Sequence, residues 1–265
     1  KYMNNNLTPA ATVLVLRDTK DGMEVLMVKR SKKPPFGNLY VFPGGKIDQG
    51  DCLEGLELYC DGYDDIKASQ TLGVNNGGLS YWAACIRECF EEVGIFLATK
   101  KSGEKLNLEE EDKSKFDNYR KMLIDNEINL LDICKKEDLM LTTANIAPLS
   151  HWITPEFETR RFDTRFFIAY LPENQIVQHD GMELTQSLWI SPNLALKKAL
   201  DGDMQMILPT TENLKSCMNF KSATTMLDHQ KKLTKNDIKP ILPKFFKEND
   251  TWKVLFPGDD GYEDH

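Results

Sequence analysis

Arg87-Glu88-Cys89-Phe90-Glu91-Glu92-Val93-Gly94 is the stretch from which the rest of the chain can be read. A helix turns about 100° per residue, so Glu88, Glu91 and Glu92 share one face while Ile86, Phe90 and Val93 gather opposite. One side of the segment suits a core, and the other is crowded with like charge. Carboxylates at helical spacing repel, and the arrangement costs stability unless a cation occupies the face. Oxygen donors of this kind suit a hard divalent ion such as magnesium, manganese or calcium, whereas zinc favours His and Cys. An acidic helix face alone is ordinarily solvated surface, so the surrounding sequence has to decide.

Upstream, the apolar run Leu39-Tyr40-Val41-Phe42 leads directly into Pro43-Gly44-Gly45-Lys46-Ile47-Asp48, a turn built on paired glycines. Ser80 stands where a helix N-cap is wanted, and Gly94 where a left-handed residue ends the helix. Together, Gly45, Asp51, Arg87-Glu88, Glu91-Glu92 and Gly94-Ile95 resemble the Nudix box, the signature of the Nudix hydrolases, which joins a glycine loop to a metal-binding helix. Two departures stand out. Asp51 occupies a position where the box carries Glu. Residues 52–86 also separate Asp51 from Arg87, about 28 more than the box usually allows, and loop closure grows costly only slowly with length. The surplus is therefore expected to leave as a peripheral surface excursion. Downstream, His151-Trp152-Ile153-Thr154-Pro155 and Arg160-Arg161-Phe162-Asp163-Thr164-Arg165-Phe166-Phe167 complete a pattern similar to the Nudix subgroup that includes the peroxisomal coenzyme A diphosphatase and its bacterial relatives. The similarity runs over roughly residues 9–215.

The resemblance implies an α/β fold, a Nudix-type α/β/α sandwich with a mixed sheet and inserted helices. Its expected parts are a tail at 1–8, a domain at 9–235 with insertions at about 52–79 and 101–138, and a C-terminal surface segment at 236–265. The implied chemistry is hydrolysis of a nucleoside-diphosphate-linked small molecule by water attack on the diphosphate, with Mg2+ or Mn2+. Coenzyme A or an acyl derivative is the first substrate expected, then NADH or ADP-ribose. Glu88, Glu91 and Glu92 become the metal ligands, Glu88 and Glu92 leading, while Glu91 either binds a second metal or accepts a proton from water, because a carboxylate crowded by others has a raised pKa. Glu183 resembles a later acidic residue that some members bring to the metal from a loop. Gly44 and Gly45 carry the backbone close to the helix, and Arg30, with Lys32 and Lys33, precedes the glycine loop where substrate phosphates would lie. Arg87 is expected to orient a carboxylate, and Asp51 to tie the loop to the helix. The competing function is a catalytically silent Nudix-like nucleotide sensor. Three mutually repelling carboxylates argue against it, since a pure binder has no need of them.

The chain has 265 residues, 41% of them hydrophobic and 28% charged, a length suited to one elaborated globular domain. No apolar run approaches a membrane span and no leader pattern opens the chain, so the expected location is cytoplasmic. The end, Tyr262-Glu263-Asp264-His265, lacks a Ser-Lys-Leu address. A net charge of −8 speaks against a nucleic-acid surface, which needs clustered Lys and Arg. The six cysteines form no Cys-x-x-Cys pair, so free thiols are expected rather than a soft-metal site. No Gly-x-Ser-x-Gly or Walker loop is present, and nothing signals an oligomeric state.

Periodicity supplies the remaining elements. Ala11 to Leu16 and Glu24 to Lys29 flank the turn cluster Asp18 to Gly22 and read as a hairpin. Phe116, Tyr119, Met122, Leu123 and Leu130 recur at near-helical spacing, predicting one or two helices over about 115–135. Phe162 to Leu171 alternates as a strand, with Phe162, Thr164, Phe166 and Ile168 on one face and Asp163, Arg165 and Phe167 on the other. Ser191-Pro192 opens a helix to Leu200, Thr211 to about Lys232 reads as helical, and the proline-bearing tail beyond Lys235 is expected to wrap the surface.

Overall fold

Two strands near the start of the chain decide where the site can form. A computed structural model describes residues 7–31, 38–108, 112–173, 175–178 and 184–264. Its elements are β1 (Thr8–Thr19), β2 (Gly22–Arg30), β3 (Tyr40–Val41), β4 (Gly44–Lys46), α1 (Asp65–Leu72), α2 (Leu79–Val93), β5 (Ala98–Lys100), α3 (Lys113–Ile124), α4 (Leu130–Glu137), β6 (Leu139–Leu141), β7 (Ile146–Ile153), β8 (Phe162–Tyr170), β9 (Leu184–Ile190), α5 (Pro192–Leu200), α6 (Leu208–Cys217), α7 (Ala223–Gln230), β10 (Pro240–Ile241), β11 (Lys244–Glu248) and β12 (Thr251–Leu255). The expected hairpin is β1–β2, paired from Leu16↔Val25 to Thr19↔Gly22. Away from the turn the two strands part. Ala10–Thr12 of β1 pair with β4, while Val28 and Lys29 of β2 pair with β3. The glycine turn therefore sits in a fork of the sheet, and Val13 N–H donates to the Pro43 carbonyl at 2.8 Å to hold it there.

Beside β1 runs β8 in parallel, then β7 antiparallel to β8, and β10 parallel to β7; β9 lies antiparallel on β2. The sheet is mixed, with helices on both faces. Alternation along β1 sends Val13 and Val15 toward α1–α4 and Leu14 and Leu16 toward α5–α7, each pair in its own buried cluster. Phe166 and Ile168 join the second cluster and Phe167 the first, as their alternation predicts. This is the expected α/β/α sandwich. Among the described residues, no helix is long and apolar enough to cross a membrane.

Four expectations need correction. The segment after Asp51 is not a peripheral excursion: Leu56, Tyr63, Ala68 and Leu72 are buried in the same cluster as Trp82 and Ile86 of α2. Burying a leucine such as Leu56 or Leu72 stabilises by about 1.5–3 kcal/mol, which a loop lying on the surface would forgo. Ser80 does not cap α2; its hydroxyl turns back to the Gly77 carbonyl, and the Leu79 N–H is taken instead by Asp65 of α1 at 3.0 Å. The helix expected from Thr211 to Lys232 is two, because Ser222 and Thr225 form a capping box that starts α7 afresh. The tail does more than wrap the surface, since β10 extends the main sheet and Ile241 and Phe256 pack on the second core cluster. The inserted helices over 115–135 are α3 and α4, whose Phe116, Leu123, Leu130 and Ile133 are buried in the first cluster.

Candidate active site

α2 carries the acidic residues because its opposite side is committed to the core. Trp82, Ile86, Phe90 and Val93 are almost wholly buried, Trp82 Nε1 donates to the Ile146 carbonyl at 3.0 Å, and Phe90 stacks on Phe96. With that side fixed, Glu88, Glu91 and Glu92 must face the loop that runs from Gly44 to Asp51. The helix ends at Gly94, whose φ of 72° is the left-handed conformation expected of it.

The loop meets the helix closely. Gly44 N–H donates to Glu92 Oε2 at 3.1 Å. A Cβ on Gly44 would lie 2.6 Å from the Ala11 carbonyl oxygen, and a Cβ on Gly45 would overlap the Glu88 carboxylate. Neither position accepts a side chain without displacing a strand or a glutamate.

Arg87 organises the junction. Its Nε donates to Asp51 Oδ1 at 2.8 Å and its Nη2 to Asp51 Oδ2 at 3.0 Å, a two-point fork, and Nη2 also reaches the Lys46 carbonyl at 2.9 Å. Nη1 donates to Glu88 Oε1 at 3.0 Å and Glu91 Oε2 at 3.2 Å. Asp51 in turn accepts from Asp48 N–H at 2.9 Å, closing a reciprocal cap over the turn at Gln49–Asp51. The counter-charge demanded by the acidic face is thus partly internal, and both expected roles, Arg87 orienting carboxylates and Asp51 tying loop to helix, are seen.

The electrostatic consequence is a set of carboxyls reluctant to ionise. Burial pushes the Glu91 pKa up to about 7; Arg87 opposes the rise, while Glu88, Asp48 and Asp51 add to it. Glu88 and Asp51 are also raised, burial being the largest cause and Arg87 the main opponent.

Of the residues singled out from sequence, the structure brings together Gly44, Gly45, Glu88, Glu91 and Glu92. Glu88, Glu91 and Glu92 are not gathered round a common point: among the described residues, no three His, Cys, Asp or Glu side chains are grouped to hold a metal ion. Arg87 donates to Glu88 and Glu91, and the Gly44 amide to Glu92. Arg30 lies at the end of β2, where its N–H donates to the Leu39 carbonyl, and is not among the donors shown to reach the three glutamates. Glu183, Lys32 and Lys33 lie outside the described residues. In the charged strand stretch at 161–165, His151 Nε2 is 2.6 Å from Asp163, and Arg165 Nη1 donates to the Leu72 carbonyl. Sequence reasoning missed Asp48, whose carboxylate stands 3.5 Å from Arg87. Its place immediately after the glycine turn, three residues before Asp51, was the available signal. The six cysteines are free, as expected.

Known proteins give the arrangement a context. A sequence model of the NUDT19 Nudix domain matches residues 67–215. Acyl-coenzyme A diphosphatase NUDT19 of Xenopus laevis is 28% identical over 205 residues, which cover 66% of this chain and 54% of that protein. The chain thus spans about half the length of this relative. The Homo sapiens protein of the same name is 24% identical over 276 residues, covering 91% of this chain and 73% of that protein. The crystal structure of a NUDIX hydrolase from Alicyclobacillus acidocaldarius superposes with a TM-score of 0.71 at 22% identity, covering 88% of this chain and 99% of that one. That superposition supports the sandwich fold alone.

Proposed function

Because the chain belongs to the Nudix hydrolases, with a domain of the NUDT19 type, we propose that it is a divalent-metal-dependent diphosphatase acting on a nucleoside-diphosphate-linked small molecule. The observation that carries this reading is the placement of Glu88 and Glu92 against a glycine turn that a single Cβ would disrupt, with Glu91 on the same Arg87 that holds Glu88. An all-oxygen, mutually repelling donor set fits magnesium or manganese. Glu88 and Glu92 are the leading ligands for such an ion, with Glu91 beside them. When bound, such an ion neutralises diphosphate oxygens and makes water more acidic.

The remaining work falls to the chain itself. Glu91, held near a pKa of about 7, is matched to accepting a proton from water at neutral pH. Arg87 keeps Glu88 and Glu91 from rotating freely, and Asp51 keeps Arg87 in place. The Gly44 amide holds Glu92 to the loop. Coenzyme A or an acyl derivative is the first substrate to try, supported by the activity for which the Xenopus and human relatives are named; NADH and ADP-ribose come next.

The test is turnover of coenzyme A, an acyl-coenzyme A, NADH and ADP-ribose with magnesium or manganese, beside Glu91→Gln and Glu92→Gln. Metal-dependent release of the two phosphate-bearing halves, lost in both variants, supports the proposal. Binding without turnover across all four compounds would make the protein a sensor, and turnover independent of metal would refute the mechanism.

A further inference from the structure

A helix leaves its first N–H groups and last carbonyls without partners of its own. At the start of α2, the N–H groups of Gly77 and Leu79 both donate to the Asp65 carboxylate, at 2.9 and 3.0 Å, and Gly78 N–H donates to Ser69 Oγ at 2.9 Å. Asp65 and Ser69 belong to α1, in the first insertion. At the far end, Arg120 Nε of α3, in the second insertion, donates to the Glu91 carbonyl at 2.9 Å, and Gln178 N–H donates to the Val93 carbonyl at 2.8 Å. α1 is itself pinned to the sheet, since Arg165 of β8 donates to the carbonyl of Leu72, its last residue. The charges are also of the right sign, an anion at the N-terminus of α2 and a cation at its C-terminus.

We infer that the two insertions form one clamp on α2, in which Asp65 and Arg120 are positioning residues that set where Glu88, Glu91 and Glu92 stand against the glycine turn. The junction tolerates little slip. Moving a helix by one residue shifts it about 1.5 Å and turns it about 100°, whereas Glu88 already fills the space where a Gly45 Cβ would stand and Glu92 is tied to Gly44 at 3.1 Å. Asp65 acts through the first turn of α2 and Arg120 through the backbone of Glu91 itself. A split box then makes physical sense: the inserted chain returns to hold the helix from which it separates the loop.

The inference rests on reading the three glutamates as metal ligands, and its test separates the two. Mn2+ affinity, read from the free-ion paramagnetic resonance signal, and hydrogen exchange at the Gly44 amide are measured on the full chain, on Asp65→Ala, on Arg120→Met and on Lys197→Gly. Lys197 is an exposed residue of α5, on the opposite face of the sheet, so glycine there destabilises the fold without touching the clamp. Asp65→Ala and Arg120→Met are expected to weaken Mn2+ binding about tenfold, the scale seen for groups that orient ligands, and to speed Gly44 exchange. Lys197→Gly is expected to lower Tm while changing neither. Affinity within about twofold of the unaltered chain in both clamp variants would overturn the inference, as would an equal loss in Lys197→Gly at the same Tm. If the unaltered chain binds no Mn2+, the metal reading fails, and Gly44 exchange decides the clamp: faster in the two clamp variants alone upholds it, and unchanged overturns it.

Discussion

Replacing Arg87 with Met should be among the most damaging single changes available to this fold, and the reason lies in what it strands. The Arg87 side chain is 9% exposed and the Asp51 side chain 0%. Removing the guanidinium leaves a buried carboxylate that keeps only its bond from Asp48 N–H, and frees the Lys46 carbonyl. Breaking a buried pair from one side costs about 3–5 kcal/mol, because the surviving charge has lost its compensation. Asp51→Asn is milder, about 1–3 kcal/mol, since Arg87 retains Glu88 and Glu91. In the double variant the side chain at position 51 is a neutral amide, so the charge penalty disappears, and the pair should be less destabilised than the sum of the singles by roughly 1–3 kcal/mol. Urea unfolding followed by tryptophan fluorescence measures all three, Trp82 being fully buried. A further check is internal. With Arg87 gone, the Asp51 pKa should rise beyond its already raised position, so Arg87→Met should be better tolerated at acid pH than at pH 8. A cost below about 1 kcal/mol for Arg87→Met, or strict additivity in the cycle, would refute the claim that this pair holds the loop to the helix.

Gly45→Ala should abolish turnover with a smaller effect on folding, because the new Cβ displaces the flexible end of Glu88 rather than backbone; activity beside the unfolding midpoint separates the two. Metal-free protein should lose stability as pH rises from about 4.5 to about 7: Glu91 has a raised folded pKa, so its contribution is fully present below the unfolded value and is gone above the folded one. That loss is about 3 kcal/mol as an order of magnitude, and a flat stability profile across this window would contradict it. Leu56→Ala should cost about 2–5 kcal/mol, measurable by urea unfolding, since Leu56 is 1% exposed in the main core; a cost near zero would restore the view of the insertion as a surface excursion.

The acidic face of α2, the glycine turn, the first hairpin and the two faces of β8 were legible because each is written in short-range spacing. Glu88, Glu91 and Glu92 share a face by helical geometry alone, and Gly44-Gly45 announces a close approach before its partner is known. The cap of α2 was not legible. Ser80 has the right chemistry at a plausible position, yet its hydroxyl binds Gly77 while Asp65, fourteen residues before Leu79, takes the amide. No local rule prefers a distant carboxylate over a nearby hydroxyl; packing of α1 on α2 supplies the preference.

The chain's own pattern was enough to specify strands and helices in alternation, an acidic helix face and a glycine turn, because periodicity and turn chemistry act between near neighbours; that the turn meets the helix inside a sandwich was implied by the Nudix resemblance. Three matters required the folded molecule. One is that Arg87, the counter-charge for two of the glutamates, is anchored by an aspartate thirty-six residues away. Another is that the residues splitting the box are core, not ornament. The last is that burial, more than its neighbouring carboxylates, raises the pKa of Glu91. Each depends on which groups are removed from water together, and that is settled only when distant segments pack.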